Sequence, residues 1–257
     1  MHVCRCVAVC FLALTHGLTA AGQTPATPSV PDWAIPGSAT HKQVPPPADF
    51  HRPTRTENVA TGIFEGISEI GGPLVPGSLS FDKVTGTYRI TSSGYNIWYQ
   101  RDEFRFLWKR MSGDVSFAAD VRFENPEPHS DRKLVLVLRQ TLDDDSKEAI
   151  AAEHGTGMVH LAERPDRAAQ SRDLEYSFGG LLKGVMAQRI GIEKHGDQVR
   201  LFVSLKGEPM QPLGPPITTH FDGPFYVGIG FCPHVADQLD TGVFSNVTLV
   251  NRADAVH

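Results

Sequence analysis

The chain has 257 residues, a formal net charge of −5 at pH 7, 40% hydrophobic residues and 21% charged residues. That length holds one large domain or two small ones, with the composition of a globular protein. A mildly acidic balance without a basic run excludes a nucleic-acid-binding face and a polybasic membrane anchor, so neither is an expected partner surface.

Residues 1–21 read as a secretory signal peptide: Arg5 gives a positive start, residues 7–14 are apolar, and Thr19-Ala20-Ala21 offers a small-residue cleavage site. His16 and Gly17 break the apolar run, which is too short to span a bilayer, so no membrane span is expected after cleavage. Val9 before Cys10 is a poor residue for lipoprotein processing. The expected location is secreted or periplasmic. Cys4, Cys6 and Cys10 leave with the signal, and Cys232 alone cannot form an internal disulfide. Residues 22–58, with Pro45-Pro46-Pro47, have the composition of a disordered Pro-rich linker. The folded domain is expected over residues 59–251, with 252–257 as a tail.

Residues 63–67 are expected as a first edge strand. Residues 77–81 and 87–91 flank Asp82-Lys83-Val84-Thr85-Gly86, which has hairpin chemistry, with Leu79 and Phe81 matched to Tyr88 and Ile90. Residues 95–100 are expected as a strand. In 103–110, Phe104, Phe106 and Trp108 alternate with Arg105, Leu107 and Lys109; in 115–124, Val115, Phe117, Ala119, Val121 and Phe123 alternate with polar or small residues. Period-2 alternation puts one set inward and the other outward. Residues 134–138 are apolar at every position, as in a strand covered on both faces. Residues 147–154 and 158–164 flank Gly155-Thr156-Gly157 as a hairpin, 173–178 form a further strand, and 179–188 form a loop or short helix. Residues 189–194 and 198–205 flank the turn His195-Gly196-Asp197, and 225–232 and 243–250 close the set. Many short strands with regular turn signals and almost no helical pattern define an all-β protein, a two-sheet antiparallel sandwich or a barrel.

Gly86-Thr87-Tyr88, the Trp98 strand, FRFLWKRMSG at 104–113, LVLRQTLDDDS at 136–146, RIGIEKHG at 189–196 and GPFYVGIGFC at 223–232 follow in order. This succession resembles the concanavalin A-like lectin/glucanase superfamily. It is similar to jelly-roll modules of secreted glycan-active proteins, including the β-xylosidase C-terminal type, and to domains of Tol-type biopolymer transport proteins. The resemblance implies a jelly-roll β-sandwich over about residues 59–251. It fixes no activity, because one fold hosts lectins, enzymes and scaffolds.

Six residues are candidates for ligand binding. Trp98, sharing a strand face with Asn96, joins an aromatic plane to an amide, a pairing suited to stacking on a sugar and bonding its hydroxyls; the alternative is that Trp98 covers a sandwich edge. Arg139 ends the all-apolar strand, so its guanidinium must be paired or meet a ligand. The resemblance implies an arginine at this point of the concave face and an acidic residue on the next strand, where Glu153 stands beside His154. Arg139 and Glu153 either anchor a ligand or pair with each other. His234, after Cys232-Pro233, is expected at the same rim.

Asp143-Asp144-Asp145-Ser146 is read as a solvated turn rather than a calcium loop, lacking the Gly and distal Glu of a regular one. His129, His154 and His160 lack zinc-ligand spacing, so no metal or other cofactor is assigned. No Glu-x-Asp-x-x-Glu strand, Gly-x-Ser-x-Gly elbow or phosphate-cradling loop occurs. The expected function is a non-catalytic, extracytoplasmic module binding carbohydrate or a small polar ligand on its concave sheet. A protein-interaction domain of an envelope assembly, with an envelope protein as partner, and a divergent glycoside hydrolase or lyase are the alternatives.

Overall fold

The computed structural model describes residues 52–126, 129–176 and 185–257. The signal peptide, most of the linker and the 179–184 part of the expected loop or helix lie outside the described residues. Among those described, every regular element is a β-strand. In chain order they are β1 (Arg55–Glu57), β2 (Gly66–Ile70), β3 (Ser78–Asp82), β4 (Thr87–Gly94), β5 (Ile97–Trp98), β6 (Arg101–Asp102), β7 (Phe104–Met111), β8 (Val115–Phe123) and β9 (Lys133–Arg139). There follow β10 (Glu148–His154), β11 (Val159–Arg164), β12 (Arg172–Tyr176), β13 (Arg189–His195), β14 (Gln198–Ser204), β15 (Gln211–Thr218), β16 (Phe225–Cys232) and β17 (Val235–Val250).

An 8-stranded sheet in the order β1-β2-β7-β16-β9-β10-β11-β12 packs on a 7-stranded sheet in the order β15-β14-β13-β8-β17-β4-β3. All pairings are antiparallel. Alternation explains how the sheets face each other. Leu134, Leu136 and Leu138 of β9 and Val227, Ile229 and Phe231 of β16 point between the sheets, towards Phe117, Ile190, Ile192 and Leu201. Each side chain buried there contributes about 1.5–3 kcal/mol of transfer free energy.

The hairpin register follows the expectation, with Leu79 opposite Ile90 and Phe81 opposite Tyr88. Gly196, at φ +58, turns β13 into β14. Three elements differ. The first edge strand is β1, ahead of residue 59, while residues 63–65 precede β2 rather than belonging to it; Thr56 Oγ1 bonds Ser68 Oγ at 2.9 Å and fastens β1 to the sheet. Strand β15 carries Pro212, Pro215 and Pro216, which hid it from propensity reading; it sits at a sheet edge, where the missing N–H groups break no inner ladder. Residues 95–100 do not form one strand. They make most of the small β5–β6 hairpin, which turns at Tyr99 with φ +57.

That hairpin covers the outer face of the 8-stranded sheet. Ile97 packs among Phe104, Phe106, Val135, Val137 and Ile150, forming a second apolar cluster separate from the inter-sheet core. This explains why β9 and β10 are buried at every position: the second sheet covers one face and the hairpin covers much of the other. Trp108 borders this layer between Gly66 and Gly228, its register partners on β2 and β16, and donates to Ser68 Oγ at 2.9 Å. A Cβ on Gly228 would lie 1.8 Å from the Leu107 carbonyl oxygen, so only glycine permits this approach.

Candidate functional site

Antiparallel register writes two polar rows across the outer face. One runs Arg139–Glu148–Arg164, because the last residue of β9 faces the first of β10, which faces the last of β11. The other pairs Lys133 with His154 and with Cys232 of β16. Between them lies an apolar strip that includes Val137 and Ile150.

The hairpin reaches both rows. From β6, Asp102 drops between the two arginines: Arg164 holds it through both terminal nitrogens, at 2.8 and 2.5 Å, and Arg139 Nη1 lies 3.3 Å away. Glu148 completes the quartet at 3.1 Å from Arg139 and 3.0 Å from Arg164. Two cations and two carboxylates thus share one almost solvent-free site. Burial pushes the Glu148 carboxyl up, its neighbour Asp102 adds to the shift, and the two arginines oppose it. For Arg164, burial works against the charge, but Asp102 and Glu148 more than offset it and raise its pKa. Arg139 also donates to the carbonyls of Thr141 (3.0 Å) and Asp143 (2.5 Å), holding the acidic loop.

This corrects one expectation. Arg139 pairs with Asp102 and Glu148, not with Glu153. Glu153 lies on the opposite face of β10, with Ala149 and Ala151, directed between the sheets. Its Oε1 accepts the Ala187 N–H at 2.6 Å, and burial raises its pKa to about 8. It cannot share a cavity with Arg139. The carboxylates of the Asp143–Asp145 loop face arginines: Asp144 bonds Arg101 at 3.0 Å, and Arg167 lies 3.3 Å from Asp143 and 3.1 Å from Asp145. No group of three or more metal-ligating side chains occurs among the described residues.

At the other row the remaining candidates converge. Lys133 Nζ donates to Asn96 Oδ1 at 2.6 Å and to the Asp131 carbonyl at 3.1 Å. His154 lies edge-on to His160, with ring centroids 4.8 Å apart, and Trp98 stacks on the same His160 at 6.1 Å and 22°. His160 Nδ1 bonds Asp173 at 3.1 Å. His234, at φ +64, stacks on Tyr95 at 5.8 Å. Burial lowers the Lys133 pKa. Burial also holds His154 well below the usual imidazole range, helped by Lys133, His160 and His234. His154 is therefore neutral at pH 7.

Asn96, Trp98, His154 and His234 thus gather at one end of the outer face, Arg139 lies at its other end, and Glu153 is excluded. Sequence reading missed Lys133 and Asp173, and weighed His160 only as a zinc ligand. Period-2 spacing along β9 already placed Lys133 on the face of Arg139, and the Gly155–Gly157 turn already brought His160 beside the His154 strand.

Two packed antiparallel sheets with this strand order define the class by fold: a jelly-roll β-sandwich. No family model matches the chain, and a search of curated proteins found no match. Among solved structures it is similar to a functionally unknown protein from Saccharomyces cerevisiae, at 16% identity and TM-score 0.50, covering 68% of this chain and 92% of that one. It is also similar to a carbohydrate-binding module from Bacillus subtilis (15% identity, TM-score 0.45, 68% and 91% covered). A Bacillus licheniformis β-glucanase matches at 9% identity and TM-score 0.43, with 76% and 96% covered. At such identities the likeness is one of fold.

Proposed function

We propose that the protein is an extracytoplasmic, non-catalytic module that binds carbohydrate at the Trp98 end of the 8-stranded sheet's outer face. The observation that carries this reading is the position of Trp98: a partly exposed indole lying on an imidazole, beside a cluster of buried hydrogen-bonding groups. An aromatic plane next to polar groups matches a sugar, whose C–H face stacks while its hydroxyls bond. Hydrolysis fits less well. Asp102 and Glu148, the two carboxylates that approach each other on this face, are buried and locked by two arginines, without the open pair that a glycosidic bond requires. The signal-like segment at residues 1–21 supports export.

Glycan-array retention of the full chain tests the reading. Trp98→Ala should weaken retention by about tenfold or more, a loss of about 1.4 kcal/mol, while the thermal transition stays in place. Unchanged retention removes Trp98 from the site, and absence of retention on any glycan refutes the function.

A further inference from the structure

Lys133 and His154 form a pair that the fold leaves unfinished. Lys133 is 3% exposed and His154 is 4% exposed. A buried ammonium is normally matched by a carboxylate, because desolvation of an unmatched charge is costly. Among the described residues no carboxylate pairs directly with Lys133: both of its acceptors, the Asn96 amide oxygen and the Asp131 carbonyl, are neutral. Among the described residues, neither ring nitrogen of His154 has a hydrogen-bond partner. The carboxylates of Asp131, Asp102 and Asp173 act on the Lys133 charge from beyond direct pairing distance, and Asp173 bonds His160 while Asp102 is held by Arg139 and Arg164.

From this we infer that the Lys133–His154 patch is a subsite for a carboxylate, and that the glycan bound by this module contains uronic acid. The inference rests on the carbohydrate-binding reading above and names its ligand class. One carboxylate oxygen accepts from the Lys133 ammonium and the other from the His154 ring N–H, giving the charge a direct counterion and the ring a hydrogen-bond partner. A neutral hydroxyl would leave the ammonium without a directly paired counterion, and a metal cation would be repelled by it. The sugar ring then lies towards Trp98, separated from His154 only by the His160 ring. General attraction cannot substitute for this site, because the protein's net charge of −5 repels a polyanion.

The test compares binding of the full chain to alginate, polygalacturonate and hyaluronate with binding to their carboxyl-reduced, neutral counterparts, alongside xylan and cellulose, by affinity electrophoresis and titration calorimetry. The expected result is a preference of about tenfold or more for at least one acidic form over its reduced form, lost in Lys133→Met and reduced in His154→Gln. Equal binding of acidic and reduced forms overturns the subsite but leaves the carbohydrate reading intact, as does binding to xylan or cellulose alone. Failure to bind any of these glycans overturns the subsite, and failure across the glycan array as well overturns both. A preference that persists in folded Lys133→Met also overturns the inference, since the charge is then read elsewhere. Should that variant fail to fold, the comparison within the natural chain decides.

Discussion

Replacing Glu153 with glutamine should make the protein more stable at pH 8 while changing little at pH 4.5. Glu153 faces the inter-sheet core between its register partners Leu134 and Val159. Among the described residues it gains one hydrogen bond, from Ala187 N–H, and its Oε2 has no partner. Burial therefore raises the carboxyl from 4.5 to about 8, with the Ala187 N–H opposing the shift. Between these values the native state holds a proton that the unfolded chain releases, so stability falls as pH rises through the window. The slope is about 1.4 kcal/mol per pH unit, which amounts to about 3 kcal/mol by pH 7 and about 5 kcal/mol above pH 8. Glutamine imitates the protonated acid and has no charge to bury. Thermal melts of both proteins from pH 4.5 to 8.5 read the difference directly. Titration of other groups, including the raised Glu148 and the lowered His154, largely cancels in the comparison. For a domain of this size the gap at pH 7 corresponds to roughly 6–12 °C. Parallel curves for the two proteins would refute the claim that Glu153 is buried unpaired.

Asp102→Ala should lower stability by about 3–5 kcal/mol in urea titrations, because among the described residues it leaves Glu148 as the one carboxylate in direct ion-pair contact with Arg139 and Arg164. A loss below ~1 kcal/mol would mean that the quartet does not anchor the hairpin. Gly228→Ala, with its Cβ 1.8 Å from a backbone oxygen, should cost about 3 kcal/mol. Gly196→Ala, where nothing lies within 4 Å but φ is +58, should cost only about 1–2 kcal/mol. Equal losses at the two glycines would contradict the close approach of β16 to β7.

Local chemistry in the chain was enough to specify many of the strands, though not β1, β15 or the β5–β6 hairpin. The alternation in 115–124 and the turns at Gly86 and Gly196 depend on neighbouring residues only, so the β8 pattern and the β3–β4 and β13–β14 hairpins were legible. Even the partner of Arg139 was within reach: antiparallel pairing after a short connection sets residue 139 against residue 148, and the same alternation turns Glu153 to the other face. Long-range placement was not legible. That β16 pairs with both β7 and β9, and that residues 95–102 leave the sheet to lie across its outer face, depends on contacts between residues far apart in sequence. Period 2 tells which side chains share a face, but it does not say what covers that face. The apolar run at 134–138 announced two coverings, and only the folded molecule identified the second as a hairpin. That covering joins Asp102 to Arg164 and Asn96 to Lys133, and it turned an expected open hollow into a layered face with Trp98 at its margin.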